Sequence, residues 1–114
     1  MAKRRMLDTR IIESDKFLSL SASSQALYIH LNMNADDDGI VDMWKNILRC
    51  MRAKRIHLDS LIEAGYVIEI GEDLLLISDW LLHNKIRSDR YVVGRYKNEL
   101  DTIQLLPTGR YIKA

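Results

Sequence analysis

Three short runs of cationic side chains could neutralise the phosphates of a nucleic acid, the chemistry lysine and arginine perform at such density. Lys3, Arg4 and Arg5 open the chain. Arg49, Arg52, Lys54 and Arg55 occupy residues 49–57 without an acid, and Lys85, Arg87, Arg90, Arg95 and Lys97 stand against Asp89 within residues 85–97. The acids gather elsewhere, notably in Asp36-Asp37-Asp38, so a formal net charge of +1 is compatible with a basic face on a neutral protein. Tyr91 and Tyr96 interleave with the last run. Aromatic rings among cations suit stacking on the bases of a single strand, although docking of both tyrosines on the body by a C-terminal helix is the favoured account.

Other chemistry is less well supported. Asn34, Asp36, Asp38 and Gly39 follow the opening of a calcium-binding loop, but its twelfth position, which needs a bidentate glutamate, is Lys45. A turn capping helix and strand is the better account. His30, His57 and His83 have no zinc spacing, and no nucleophile elbow, phosphate-binding glycine loop or dinucleotide fingerprint occurs. Neither an enzyme nor a bound cofactor or metal is expected. A single cysteine, Cys50, excludes an intrachain disulfide, fits a reducing cytoplasm, and reads as a small packed hydrophobe. No apolar run approaches a membrane span, so membrane partners are not expected.

The elements that must carry these cations are legible from periodicity. At 114 residues the chain suits one domain with one core. Residues 1–10 read as a basic arm, 11–87 as the main domain, and 88–114 as a C-terminal helix and tail. Glu13 to Leu20 is a helical lead-in carrying Phe17. Ser24 to Ala35 is a helix with one apolar stripe at Leu27, Tyr28, Leu31 and Ala35, and a second at Ala26, Ile29 and Met33. Ile40-Val41 forms a short strand. Trp44, Ile47, Leu48 and Met51 share a helix face, with Asp42 as N-cap, and Leu58, Leu61 and Ile62 mark another helix closed by Gly65. Residues 66–70 and 74–78 then read as strand, tight turn, strand. Val92, Tyr96 and Leu100, four apart, predict a last helix from Ser88 or Asp89 to about Ile103, despite Gly94. The fold class expected is therefore α+β: a winged helix-turn-helix with a three- to four-helix core, a β-hairpin wing and a C-terminal helix.

Within this plan the second helix of the pair is poor in base-reading groups. Its outward face carries Ala53, Ile56, Ser60 and Glu63, and the wing tip, Glu72-Asp73, is acidic. Contacts are expected mainly with phosphates, and they would be largely non-specific and salt-dependent.

Arg5-Met6-Leu7, Phe17-x-x-Leu20-Ser21, Gln25-x-Leu27-Tyr28-x-x-Leu31, Ala35-Asp36-Asp37-Asp38-Gly39-Ile40-Val41, Leu61-x-x-x-Gly65-Tyr66-Val67 and Trp80-x-x-His83-Asn84-x-Ile86 add a resemblance. Together, over roughly Arg4 to Arg90, they resemble the N-terminal winged-helix domain of phage replisome-organiser proteins, relatives of DnaD-type primosomal proteins. The resemblance implies a non-enzymatic role in replication initiation: binding double- or single-stranded DNA, self-association as a homo-oligomer, and recruitment of helicase-loading proteins. Family members usually carry a further C-terminal domain after the winged helix. A self-association module of the primosome binding little DNA, and a winged-helix transcriptional regulator, are the alternatives.

Overall fold

The computed structural model describes residues 4–71, 73–84, 86 and 88–113. Two single-turn helices, α1 (Thr9–Ile12) and α2 (Asp15–Leu18), lead into α3 (Ala22–Met33). Serine chemistry starts the latter two: Ser14 Oγ accepts the Phe17 N–H, and Ser21 Oγ accepts the Ser24 N–H. The first apolar stripe of α3 is buried, with Leu27, Tyr28, Leu31 and Ala35 all inaccessible to solvent. The second is not. Ile29 and Met33 face solvent, so α3 lies along one side of the core instead of at the centre of a bundle.

After α3 come β1 (Ile40–Val41), α4 (Trp44–Met51), α5 (Arg55–Glu63), β2 (Val67–Ile70), β3 (Leu74–Ile77) and α6 (Trp80–His83). The strands form one antiparallel sheet in the order β1-β3-β2, with Ile40 opposite Leu76 and Ile68 opposite the same residue. Asp42 does not cap α4: its carboxylate accepts the Tyr96 hydroxyl at 3.2 Å, and Met43 takes the cap position without a side-chain bond. The α5 terminus follows expectation. Gly65 adopts φ +86°, its N–H bonds Ile62 O, and the Tyr66 N–H reaches back to Leu61 O, closing the last carbonyls in the left-handed manner glycine permits.

The sheet is covered on both faces. Val41, Val67, Leu75 and Ile77 join Phe17, Leu27, Tyr28, Leu58, Leu61, Tyr66 and Trp80 in the main core, where Phe17, Tyr28 and Tyr66 meet edge-on with centroids 5.3–5.7 Å apart. Ile40, Ile70 and Leu76 point the other way and are buried beneath Tyr96, Leu100, Ile103 and Tyr111. That covering segment corrects the expected C-terminal helix. Residues 88–96 run without regular structure, a 3-10 stretch follows at Lys97–Thr102, and β4 (Ile103–Leu105) pairs with β5 (Tyr111–Lys113) in a hairpin.

The Asp36-Asp37-Asp38 turn anchors both ends of the chain. Asp36 Oδ1 accepts the N–H groups of Asp38 and Ile40 at 2.9 and 3.0 Å, and Asp37 O accepts Trp80 Nε1 at 3.0 Å. Gly39 (φ +85°) lies against the Trp80 ring so closely that any Cβ there would collide with it. Asp37 Oδ2 and Asp38 Oδ2 accept the N–H groups of Val92 and Gly94, both at 2.9 Å, and Asp38 Oδ1 accepts the Tyr91 hydroxyl. These carboxylates build a hydrogen-bonded turn. Among the described residues no group of three or more His, Cys, Asp or Glu is placed to hold a metal ion, and no helix is long and apolar enough to cross a membrane.

Candidate nucleic-acid interface

The turn between α4 and α5 gathers three of the cations. Arg49, Arg52 and Lys54 are all exposed, and among the described residues none is paired with a carboxylate. Arg52 holds φ 57°, ψ 31°, the left-handed region, and it is the only non-glycine there among the described residues. Its N–H bonds Arg49 O, and the Ala53 N–H reaches Leu48 O at 2.9 Å, so Arg52 occupies the position at which helices usually place glycine. Arginine in that conformation is strained by about 1 kcal/mol or more. Lys54 begins α5, where its backbone N–H donates to His57 Nδ1 at 3.0 Å.

Other predicted contacts are spoken for. Arg5 is not part of a free arm: its side chain is 4% exposed, Nη1 pairs with Asp37 at 2.9 Å, Nη2 donates to Ala35 O, and the guanidinium stacks 5.0 Å from the Trp80 ring. A phosphate cannot reach it without unfolding the local structure. The neighbouring backbone is fastened too, with Met6 N–H on Asn84 Oδ1 and Asp8 N–H on His83 Nδ1. Arg55 is half exposed, but it is engaged by Asp59 at 2.9 Å and Glu69 at 2.8 Å, over the Trp44 ring. Those acids, the Asp59 hydrogen bond first, raise its pKa and neutralise its charge locally.

In the third run, Arg90 is exposed and Arg95 lies 5.9 Å over Tyr96. Lys97 sits 5.0 Å over Tyr91, whose hydroxyl raises the lysine pKa. Both tyrosines therefore bond carboxylates of the protein body, Tyr91 on Asp38 of the acidic turn and Tyr96 on Asp42 after β1, and each ring carries a cation over one face. Arg4 is exposed; Lys3, Lys85 and Arg87 lie outside the described residues.

The outward face of α5 is as donor-poor as its sequence implies. Ile56 is 65% exposed beside exposed Asp59 and Glu63, and Ser60 Oγ is already donated to Ile56 O. At the end of the β2–β3 turn, Asp73 holds Lys45 by its carboxylate and Trp44 Nε1 by its carbonyl. Cys50 is exposed on α4, contrary to the expected packed thiol, because the buried stripe of that helix is narrow and centred on Trp44.

Two features escaped sequence reasoning. His83 is buried, linked by Nδ1 to the Asp8 N–H and by Nε2 to the Tyr28 hydroxyl at 2.6 Å, and burial lowers its pKa to about 4. Lys16 and Arg110, separated by most of the chain, share a cavity with Arg10. Only the helical phase of His83 relative to Trp80 hinted at the first; nothing in the sequence pointed to the second. No protein-family model matches this chain, and no significant match was found among curated proteins or solved structures.

Proposed function

We propose that this fold is a winged helix-turn-helix and that the protein binds DNA, mainly through phosphates, in replication initiation of the phage replisome-organiser type. The order α3, β1, α4, α5, β2, β3 with the sheet arranged β1-β3-β2 supports the fold assignment, with α4 and α5 as the helix pair and β2–β3 as the wing. The observation that carries the binding proposal is Arg52. A long, exposed cation occupies a backbone position suited to glycine, between two other unpaired cations. Stability alone would favour glycine there, so the side chain is kept for something it touches.

The contact surface on this proposal is Arg49, Arg52 and Lys54, with Arg4 and Arg90 as outer contributors. Nothing on the α5 face resembles the Arg, Asn or Gln array that reads base edges, which sets a transcriptional regulator behind a replication protein. No catalytic step is assigned to the protein.

The deciding experiment is fluorescence-anisotropy titration of single- and double-stranded DNA at about 50 and 200 mM salt. Wild type is expected to bind with a steep salt dependence, and Arg49→Ala with Arg52→Ala to shallow the slope by nearly two units, about 0.9 per lost phosphate contact on duplex. Arg55→Ala, already neutralised by its acids, is expected to change the slope little. Absence of low-salt binding by the wild type overturns the proposal.

A second reading rests on Ile56. A large apolar side chain 65% exposed, flanked by Asp59 and Glu63, suits self-association through α5. Light scattering of wild type and Ile56→Glu decides it: a dimer or larger assembly dissociated by the substitution supports it, and a monomeric wild type removes it.

A further inference from the structure

Away from the α4–α5 turn lies a cavity of about 360 Å³, within the range of small-ligand sites. Arg10, Lys16, Thr108 and Arg110 stand around it, and Asp79, whose side chain is 5% exposed, lies beneath. Ile11, Tyr66 and Leu82 provide the apolar part of its wall.

The charges do not balance. Arg10 is spanned by the Asp8 carboxylate, with bonds of 2.7–3.3 Å, which accounts for one pair. Lys16 has no carboxylate partner among the described residues; its ammonium rests 5.2 Å over the Tyr66 ring. Arg110 donates Nη2 to Gly65 O, while its Nε stays 3.8 Å from Asp79 Oδ1, too long for a hydrogen bond. One buried carboxylate thus faces two cations, and it answers neither at close range. Burial also pushes the Asp79 carboxyl above the ordinary carboxylate range, against the pull of Arg110 and Lys16. The Ser14 hydroxyl is committed to Ile11 O and the Phe17 N–H, whereas the Thr108 hydroxyl is exposed at the rim.

We propose that this cavity binds a phosphoryl group, held by the Lys16 ammonium and the Arg110 guanidinium with the Thr108 hydroxyl as a third donor. Asp79 attracts the Arg110 guanidinium from 3.8 Å without a hydrogen bond to its Nε, which leaves donors of that planar cation to face a phosphate. The apolar wall accepts the organic skeleton that carries the phosphate. Two sources share this chemistry: a terminal phosphate monoester, on an oligonucleotide end or a small metabolite, and a phosphodiester of the nucleic-acid backbone.

The test uses the full chain and three probes: inorganic phosphate, a 5′-phosphorylated thymidine oligomer and its 5′-hydroxyl counterpart. Saturable amide shifts at Lys16, Thr108 and Arg110 in phosphate-titrated NMR spectra are expected. Lys16 is exposed, so Lys16→Ala leaves the core alone; it should weaken binding about tenfold or more, the value of one charged hydrogen bond, and Lys16→Arg should restore it. Lys16-dependent preference for the 5′-phosphorylated oligomer assigns the site to a monoester; equal Lys16-dependent binding of both oligomers assigns it to the backbone. Linear, unsaturating shifts, or affinity unaffected by Lys16→Ala, overturn the proposal. Arg49→Ala with Arg52→Ala should leave the inorganic-phosphate titration unchanged, so this site and the turn stand or fall separately.

Discussion

On the proposed DNA-binding role, replacing Arg52 by glycine is expected to make the protein more stable and a poorer DNA binder at once. The residue holds φ 57°, where a Cβ crowds the following carbonyl. Relief of that crowding is worth about 1–2 kcal/mol. Against it stands the greater freedom of glycine in the unfolded chain, about 0.5–1 kcal/mol. The difference spans about 0–1.5 kcal/mol, and its centre, a net gain of about 0.75 kcal/mol, raises Tm for a domain of this size by roughly 3–6 °C. The hydrogen bonds that close α4, Arg52 N–H to Arg49 O and Ala53 N–H to Leu48 O, involve only backbone and survive the change. Arg52→Ala is the control. It removes the same charge but keeps a Cβ in the left-handed region, so its stability should stay near wild type. Both variants should lose the same increment of DNA affinity, and the salt slope should fall by about 0.9 in each. Calorimetric melting alongside anisotropy titration measures both quantities. If Arg52→Gly melts at or below Arg52→Ala, the backbone is not strained as described. If both bind DNA like wild type, the strained arginine is not there to hold a phosphate.

Arg5→Ala should behave in the opposite sense, destabilising the fold by about 1–3 kcal/mol because Asp37 keeps only the Val92 N–H and loses its cation, while the salt slope of DNA binding stays unchanged; urea unfolding of the variant checks the first and anisotropy the second, and an unchanged stability with a shallower slope would return Arg5 to the proposed DNA contacts. Acid should weaken the fold through His83. Its pKa is lowered by burial from 6.5 to about 4, so the unfolded state takes up the proton first. The stabilisation is therefore complete above pH 6.5 and is lost as pH falls toward 4, to a total of about 3 kcal/mol at most. Urea midpoints between those pH values should fall less in His83→Gln than in wild type, and parallel pH profiles would show that another group carries the loss.

Local pattern made much of the fold readable. Leu27, Tyr28, Leu31 and Ala35 fall on the buried side of α3, Gly65 closes α5, and the two runs around Gly71 pair as a hairpin. What failed was non-local. Val92, Tyr96 and Leu100 have helical spacing, yet Val92 is 64% exposed and Leu100 lies on the sheet. Carboxylates more than fifty residues earlier take the Val92 and Gly94 N–H groups, and no periodicity registers such a capture. One signal was available: Leu74-Leu75-Leu76-Ile77 is apolar without alternation, the mark of a strand buried on both faces, and it called for a cover on the far side of the sheet. Among the cations, Arg55 carried a local warning in Asp59 four residues on, whereas Arg5 gave none, since its partner Asp37 lies thirty-two residues away.

The two-sided sheet also sets the timetable of folding during synthesis. Helices α3 to α5 can begin to assemble with the inner sheet face once β3 has left the ribosome, and Trp80 completes that core a few residues later. The outer face, Ile40, Ile70 and Leu76, remains bare until Tyr96, Leu100, Ile103 and finally Tyr111 arrive to cover it. A nascent chain therefore passes through a state with a finished core and an exposed flat apolar sheet bordered by open strand edges, the form most prone to pairing with a neighbour. In that order of events, the segment from Tyr96 to Tyr111 shields the sheet it follows from such pairing.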